Sequence, residues 1–477
     1  MDNQSNVSEP EHQHIDTDHI CELVATLLPV AEYIHSPSQS YLQTPEQEQA
    51  LAELIIALHD LHPADMATLL ESLPLAERML VWKLAIPTED GEVLLEVSDP
   101  VRETLIENME QQELLAAVDD LDADELAELA PDLPKQVVYA ALSSRDEQEQ
   151  AQIAASMSFE DNQVGALMDF ELVSIRADVS CEVVLRYLRR FERLPDHTDK
   201  IFVVDDQDVL QGVLPIRSLL VSDPEALVSD VMADDVVTFR PEEDVEEAAA
   251  AFERYDLVTA PVVNDDRKLI GRITIDEMVD VIREESESDM LNMAGLREEE
   301  DLFAPIIDSV KNRWIWLAVN LCTAFIASRV IGLFEHSIEK IVALATLMPI
   351  VAGIGGNSGN QTITMIVRAM TSGQISNNQA RRLLHKEQGV SLVNGLIWGS
   401  VMGIVSYFLY HSIGIGLVMV AAMTLNLLLA ATVGVLIPVL MQKSGRDPAL
   451  GSSVLITAVT DSGGFFIFLG LATLFLL

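Results

Sequence analysis

The sequence predicts a multidomain chain in three parts: an α-superhelical N-terminal domain, a pair of α/β repeats, and an all-α membrane domain of five helices. Three observations carry that prediction. Charge divides the chain: residues 314–477 hold 8 Lys and Arg against 5 Asp and Glu, net +3, whereas residues 1–313 hold 21 against 71, net −50, which together give the −47 of the whole. Apolar runs longer than the roughly 20 residues that cross a bilayer are confined to the slightly basic part. Two sets of internal repeats, with different periods, fill the acidic part. With 477 residues the chain has room for several domains.

Residues 1–45 are polar, with Pro, Ser and Gln, and are expected to form a mobile tail. His12, His14, Asp16, Asp18 and His19 offer metal-binding side chains there, but a solvated tail is the plainer reading. The opening MDNQSNVSEPEHQH carries neither a basic nor an apolar leader segment. The acidic part is therefore expected to face the cytoplasm. Cys21, Cys181 and Cys322 stand far apart and form no CxxC, which points to neither a disulfide framework nor a zinc site.

Residues 46–155 show helical periodicity and repeat internally. LHPADMATLLESLP (Leu61–Pro74) aligns with LDADELAELAPDLP (Leu121–Pro134) at a period of 60. Leu61 and Leu121, Ala67 and Ala127, Leu69 and Leu129, Leu73 and Leu133, and Pro74 and Pro134 coincide. Helix pairs repeated in this way stack into a short superhelix, here with an acidic exposed face. Residues 156–225 and 226–286 are the second repeat. LMDFELVSIRAD (Leu167–Asp178) aligns with VMADDVVTFRPE (Val231–Glu242) at 64, and FVVDDQDVLQGVL (Phe202–Leu214) with PVVNDDRKLIGRI (Pro261–Ile273) at 59. Each copy reads as strand, helix, strand, turn, strand, helix. Two such copies in tandem resemble a pair of CBS domains.

Beyond a connecting stretch at 287–313, residues 314–477 contain apolar spans near 314–334, 341–371, 389–410, 413–441 and 450–477. Lys311 and Arg313, then Arg381, Arg382 and Lys386, then Lys443 and Arg446 lie in alternate loops. The positive-inside rule then places the N-terminus inside and the C-terminus outside. The last span, from Ala449, has one charge, Asp461. A carboxylate at that depth is costly unless it faces water or a cation, or is neutralised. Arg329 and Arg368 in other spans are possible partners, so a structural pairing stays open beside a cation site. The second span contains PIVAGIGGNSGNQTITMIVRA (Pro349–Ala369). Its glycines allow close helix approach and its amides supply oxygens, so helix packing and pore lining are both open. A carboxylate with amide and carbonyl oxygens is a hard ligand set that suits Mg²⁺ or Ca²⁺. One carboxylate per chain is too few to strip Mg²⁺ of its water, so a wide site holding a largely hydrated ion between two chains fits better.

The order of these parts, together with LMDF…SI, ERYDL…PVV, ITIDE, the MAGL at Met293–Leu296, PxxAGxGGNxGNQ and the lone aspartate of the last span, resembles the MgtE family of Mg²⁺ channels. The resemblance covers nearly the whole chain from about residue 50. It implies a homodimer in the cell (inner) membrane, with a pore lined by the second and fifth spans and an ion held at Asp461 through its water shell. The matching residues are Gly353, Gly356, Asn360 and Thr364 in the second span. Ser453, Thr457 and Gly464 in the fifth lie on one helical face with Asp461, and Asp447 stands near the cytoplasmic mouth. The resemblance also implies that cytoplasmic Mg²⁺ is sensed by Asp244, Asp256, Glu277, Asp280 and Asp289, with Asp124 and Glu128 in the helical domain, and that Met290 to Lys311 is a connecting plug helix. It further implies that the channel closes when internal Mg²⁺ is high.

Two departures stand out. Many CBS pairs bind adenine nucleotides through a hydroxyl residue and an acid three positions on. Here Thr274 and Glu277 occupy those places in the second copy, and Pro215 and Ser218 in the first, which disfavours ATP. Ser288 also stands where the family often has an acid. The composition excludes nucleic acid as a partner, although an acid-rich proteome would give the same charge. No GxxxxGK[ST] run or catalytic His/Ser or Cys/His constellation supports an enzyme. The alternatives are a proton-coupled divalent-cation carrier that uses Asp461 and a membrane-tethered CBS sensor. Anchoring spans need neither Asp461 nor the amides, which argues against the sensor.

Overall fold

The computed structural model describes residues 17–29, 44–59, 61–85, 90–119, 121–191, 193–296, 301–371, 379–444 and 446–477. His12, His14 and Asp16 lie outside them. The chain divides into two units: residues 1–282 with 301–304, and residues 283–300 with 305–477.

In the first unit the polar-tail expectation fails over one stretch. Residues Thr17–Leu27 form a helix whose Ile20, Leu23, Val24 and Leu27 are buried in the helical core. Their i, i+3, i+4, i+7 spacing makes one apolar stripe, and burying it outweighs the polar flanks. The repeat at a period of 60 is a structural repeat. Helices Pro63–Glu71 and Leu75–Leu84 in the first copy correspond to Ala123–Leu129 and Lys135–Ser144 in the second. Pro74 and Pro134 each cap the second helix of their pair, where a proline costs no hydrogen bond. Ala67, Leu69 and Leu73, and their equivalents Ala127, Leu129 and Leu133, are all buried.

The α/β repeats follow. Strands β1 (Ser174–Arg176), β2 (Lys200–Val204) and β3 (Leu210–Pro215) form a sheet in which β1 and β2 are parallel and β2 and β3 antiparallel. In the second copy β4 (Thr259–Val263) pairs antiparallel with β5 (Leu269–Thr274), with Thr259 opposite Thr274. The expected first strand of this copy is reduced to one parallel bridge, Phe239 to Val262, because Pro241 follows and cannot donate to a ladder. The two hairpin turns are built alike. Asp205 accepts from the N–H groups of Gln207 and Val209, and Asn264, 59 residues on, from those of Asp266 and Lys268. Such side-chain turns replace a backbone turn with a carboxylate or amide oxygen.

Among the described residues the second unit holds five long helices: Ile306–Gly332, Ala343–Thr371, Ala380–Tyr410, Ile413–Lys443 and Ser452–Leu476, here the first to the fifth. By length and composition four of them are able to cross a membrane: all but the second, in which the glycine and amide run dilutes the apolar residues. The fourth is central, with half of its apolar window buried, against 6% for the first. The third helix presents Ser391, Gly395, Gly399, Gly403 and Ser406 to its neighbour, all buried at four-residue spacing or close to it. A Cβ on Gly395 would stand 2.7 Å from Thr424 Cα, and one on Gly403 2.8 Å from the Gly416 carbonyl oxygen. This is close small-residue packing of two backbones.

The expected connecting helix from Met290 to Lys311 is not one element. Helix Ile275–Ala294 stops before Gly295, which takes a left-handed φ of +74°, and the next helix starts after Pro305. Glycine alone reaches that φ without strain, and proline suits a helix start. Trp316 of the first helix lies against Gly295 and Gly451, and Met293 packs among residues of the second, fourth and fifth helices.

Candidate cation site

The second and fifth helices touch along their glycines. A Cβ on Gly359 would come within 2.7 Å of Ile456, and Gly356 lies opposite Thr460. This approach lets the Ser453 hydroxyl donate to Asn360 Oδ1 across the two helices, at 3.2 Å. Ser453, Thr457 and Asp461 follow one another at four-residue spacing on the fifth helix, and all three are half-buried. The hydroxyls of Thr457 and Thr364 donate back to the carbonyls of Ser453 and Asn360, each at 2.9 Å. Their lone pairs therefore remain available to a ligand. Gly353, Asn357, Gln361 and Thr364 are exposed along the outer face of the second helix. Among the described residues no basic side chain pairs with Asp461, and the Arg329 guanidinium sits over the Phe325 ring at 5.2 Å. The pairing of Asp461 with Arg329 left open by the sequence is not formed.

Gly464 stands apart from this row. It is buried, and a Cβ there would lie 2.7 Å from the amide nitrogen of Asn426 on the fourth helix. Asp447 is exposed, and its carboxylate accepts from the Ala449 N–H at 2.7 Å and from the Asn292 amide at 3.3 Å. Burial, and then the Asp447 charge, raise the Asp289 carboxyl above its ordinary value, so these two acids are neighbours. The same Asn292 amide donates to Ser288.

In the first unit the sensing candidates fall into two groups. Glu277 is crowded. Burial, followed by the charges of Glu128, Asp276, Asp124 and Asp280, holds its carboxyl well above the usual range. Asp124, on helix Ala123–Leu129 of the helical domain, is pushed up to about 7, first by burial and then by Asp169, Glu125 and Asp122. Arg102 pairs with Glu128 at 3.1 Å. Asp244 and Asp256 form no such cluster among the described residues. Asp244 caps helix Val245–Tyr255 by accepting from the Glu246 and Glu247 N–H groups, and Asp256 ends the same helix at a left-handed φ of 50°. The helix keeps them roughly 18 Å apart. Among the described residues no group of three or more His, Cys, Asp or Glu side chains is arranged to hold a metal ion. The acids gather charge without a formed cage. At the nucleotide positions, Pro215 caps helix Ile216–Val221 and Thr274 is buried at the end of β5.

Two groups escaped the sequence reading. Asn426 is fully buried among the long helices, and its one signal was an amide in the middle of a mostly apolar 31-residue helix. Arg78, also fully buried, pairs with Asp301, 223 residues away, and no spacing rule reaches that far.

Oxygen-bearing side chains in a row beside a carboxylate that pairs with no basic side chain among the described residues, set in long apolar helices, suit a membrane protein that handles cations. Residues 348–471 match the family model described as a divalent cation transporter, MgtE. Residues 61–162 match the MgtE intracellular N domain, and residues 228–284 the CBS domain. The magnesium transporter MgtE of Thermus thermophilus is 31% identical over 442 residues, covering 91% of this chain and 98% of the relative. That of Bacillus subtilis is 26% identical over 419 residues, covering 88% and 93%. A solved structure described as the cytosolic domain of the Mg²⁺ channel MgtE in complex with ATP is 30% identical over 49% of this chain and 94% of its own, with a TM-score of 0.44. The chain belongs to the MgtE family of divalent cation transporters, and it is a membrane transporter rather than an enzyme.

Proposed function

We propose that this chain moves Mg²⁺ across the cell (inner) membrane as a homodimer and closes by feedback when cytoplasmic Mg²⁺ rises. The observation that carries the ion path is the Ser453–Asn360 hydrogen bond, which sets the amides of the second helix beside the Thr457 and Asp461 row of the fifth. In this reading Asp461 holds a hydrated ion through its waters, and Asn360, Thr364, Ser453 and Thr457 accept from or donate to the same shell. The exposed face of Gly353, Asn357 and Thr364 meets the equivalent face of a second copy. Asp447 attracts cations at the cytoplasmic mouth. The helical and α/β parts lie in the cytoplasm and the C-terminus outside. Pro215 and Ser218 at the nucleotide positions of the first copy disfavour ATP.

Charge drives the gate. Carboxylates crowded around Glu277 and Asp124 repel one another when no divalent ion is bound. An ion at about ten times its Kd adds roughly 1.4 kcal/mol to the state that binds it. Shifting a gate from 99:1 to 1:99 takes about 5.5 kcal/mol, so about four sites suffice. Glu277, Asp280, Asp124 and Glu128 supply one such region, Asp289 with Asp447 another, and Asp244 and Asp256 act only with acids of the partner copy.

The test is Mg²⁺ flux into proteoliposomes, comparing the native chain with Asp461→Ala and varying Mg²⁺ on the soluble side. Flux should be lost in the variant and should fall in the native chain as soluble-side Mg²⁺ rises. Normal flux in Asp461→Ala removes the ion path proposed here. Flux that follows an imposed proton gradient makes the protein a coupled carrier.

A further inference from the structure

We propose that Asn426 is a positioning residue for the ion path, clamping the second helix to the fifth beside Asp461. This inference rests on the reading of Asp461 as the residue that holds the ion. Asn426 lies midway along the fourth helix and has no solvent exposure. Its Nδ2 donates to the Val351 carbonyl of the second helix at 2.8 Å. The same nitrogen fits only because two other residues lack a side chain: a Cβ on Gly355 would lie 2.1 Å from it, and one on Gly464 would lie 2.7 Å from it. One amide thus occupies a slot made by a glycine from each ion-path helix. Gly464 is three residues beyond Asp461, and Gly355 is five residues before Asn360. Any change in the slot is passed to both within about a turn of helix.

The other end of the amide shows that the residue is not there for stability alone. Asn426 Oδ1 is buried and accepts no hydrogen bond among the described residues. A buried oxygen left without a donor is destabilising, and leucine would fill a similar volume in an otherwise apolar helix without that cost. What leucine lacks is the donor that fixes the second helix at Val351. Gly464, grouped by its spacing with the residues lining the path, is in this account the seat of Asn426. A path that admits an ion with its waters discriminates by width, because Mg²⁺ keeps its hydration shell more tenaciously than Ca²⁺. Loosening the clamp should therefore change which ion passes as well as how fast.

The experiment uses the full chain in proteoliposomes. Asn426→Leu and Asn426→Ala should each lower maximal Mg²⁺ flux about tenfold, the scale of a lost supporting partner around an ion, and raise the Ca²⁺ to Mg²⁺ flux ratio. Gly355→Ala should lose flux by driving a methyl into the Asn426 amide. Adding Asn426→Ala to it should return flux to the level of Asn426→Ala alone. In a separate series carrying Asn360→Cys and Ser453→Cys, oxidative cross-linking of the second and fifth helices should slow when Asn426 is replaced. Asn426→Ala is read beside Asn426→Leu so that poor assembly of one still leaves the other measurable. An unchanged ion ratio with a native cross-linking rate in Asn426→Ala overturns the proposal and leaves Asn426 as packing. If the native chain moves no divalent ion, the transport reading fails, while the cross-linking series still decides whether Asn426 clamps the helices.

Discussion

At the scale of single residues, one buried ion pair is announced by no motif. Arg78 has no exposed side-chain surface. Its guanidinium donates to the Leu70 and Leu73 carbonyls and, through both terminal nitrogens, to the two oxygens of Asp301, whose side chain is 9% exposed. Every charge in the pair is met by hydrogen bonds, which is the condition under which a buried pair is tolerated. Removing one partner strands the other. Asp301→Asn should cost about 3 kcal/mol, the lower end of the range for breaking a buried pair, measured by thermal or denaturant melting of the full chain. A loss below about 1 kcal/mol would mean that the two carbonyls satisfy Arg78 unaided. The pH dependence has a definite sign. Burial raises the Asp301 carboxyl, but hydrogen bonds from Arg78 and the Phe303 N–H, with the Arg78 charge, pull it below its ordinary value. The pair's contribution is therefore complete above the ordinary carboxylate value of about 4 and is lost as pH falls through the lower folded value. Between pH 7 and 5 the Asp301 contribution should be flat. Below pH 4 the native chain should lose stability more steeply than Asp301→Asn.

At the scale of elements, the seam between the third and fourth helices makes a prediction that separates packing from propensity. Gly395 faces the Thr424 backbone so closely that a methyl would stand 2.7 Å from Thr424 Cα, whereas a methyl on Gly389 of the same helix meets nothing within 4 Å. Gly395→Ala should lower the melting temperature and the assembled yield. Gly389→Ala should leave both unchanged or raise them slightly, since alanine in a helix interior is worth about 0.5–1 kcal/mol over glycine. Equal effects at the two sites would remove the seam from the account. The elements also show what a sequence discloses and what it hides. The two repeats were legible because aligned residues build like local structure: Pro74 and Pro134 cap equivalent helices, and Asp205 and Asn264 build equivalent turns, although the second copy of the α/β repeat loses its first strand. Asp461 and the amide run were legible because polar residues are rare in apolar spans. The helix Thr17–Leu27 was hidden because the stripe of Ile20, Leu23, Val24 and Leu27, flanked by polar sequence, carries weight only once a core exists to receive it. Asn426 was hidden because one amide does not reveal which carbonyl it will meet, and Arg78 with Asp301 because 223 residues separate them. The break at Gly295 was legible in principle, since glycine near a helix end is a stop signal, but it sat inside the motif that marked the connecting stretch.

At the scale of the whole molecule, the dominant quantity is the net charge of −50 on residues 1–313. A compact state holds those charges closer than an expanded one, and self-repulsion opposes it. Two remedies differ in kind. Monovalent salt screens every charge, with a Debye length of about 8 Å at 0.15 M, and acts on all exposed carboxylates alike. A divalent ion acts where carboxylates already converge, as around Glu277 and Asp124. The full chain should therefore melt at a higher temperature as NaCl rises from low to physiological strength, and higher again in a few millimolar Mg²⁺ at matched ionic strength. That second increment is the part to be traced to particular acids. Glu277→Gln with Asp124→Asn should remove most of it while leaving the NaCl response in place, because two charges in −50 barely change the overall repulsion. Those substitutions should also raise stability without Mg²⁺, since each removes a charge that burial and its neighbours disfavour. If Mg²⁺ and NaCl are interchangeable at equal ionic strength, the acidic surface is a diffuse cation cloud, and the feedback reading loses its structural basis.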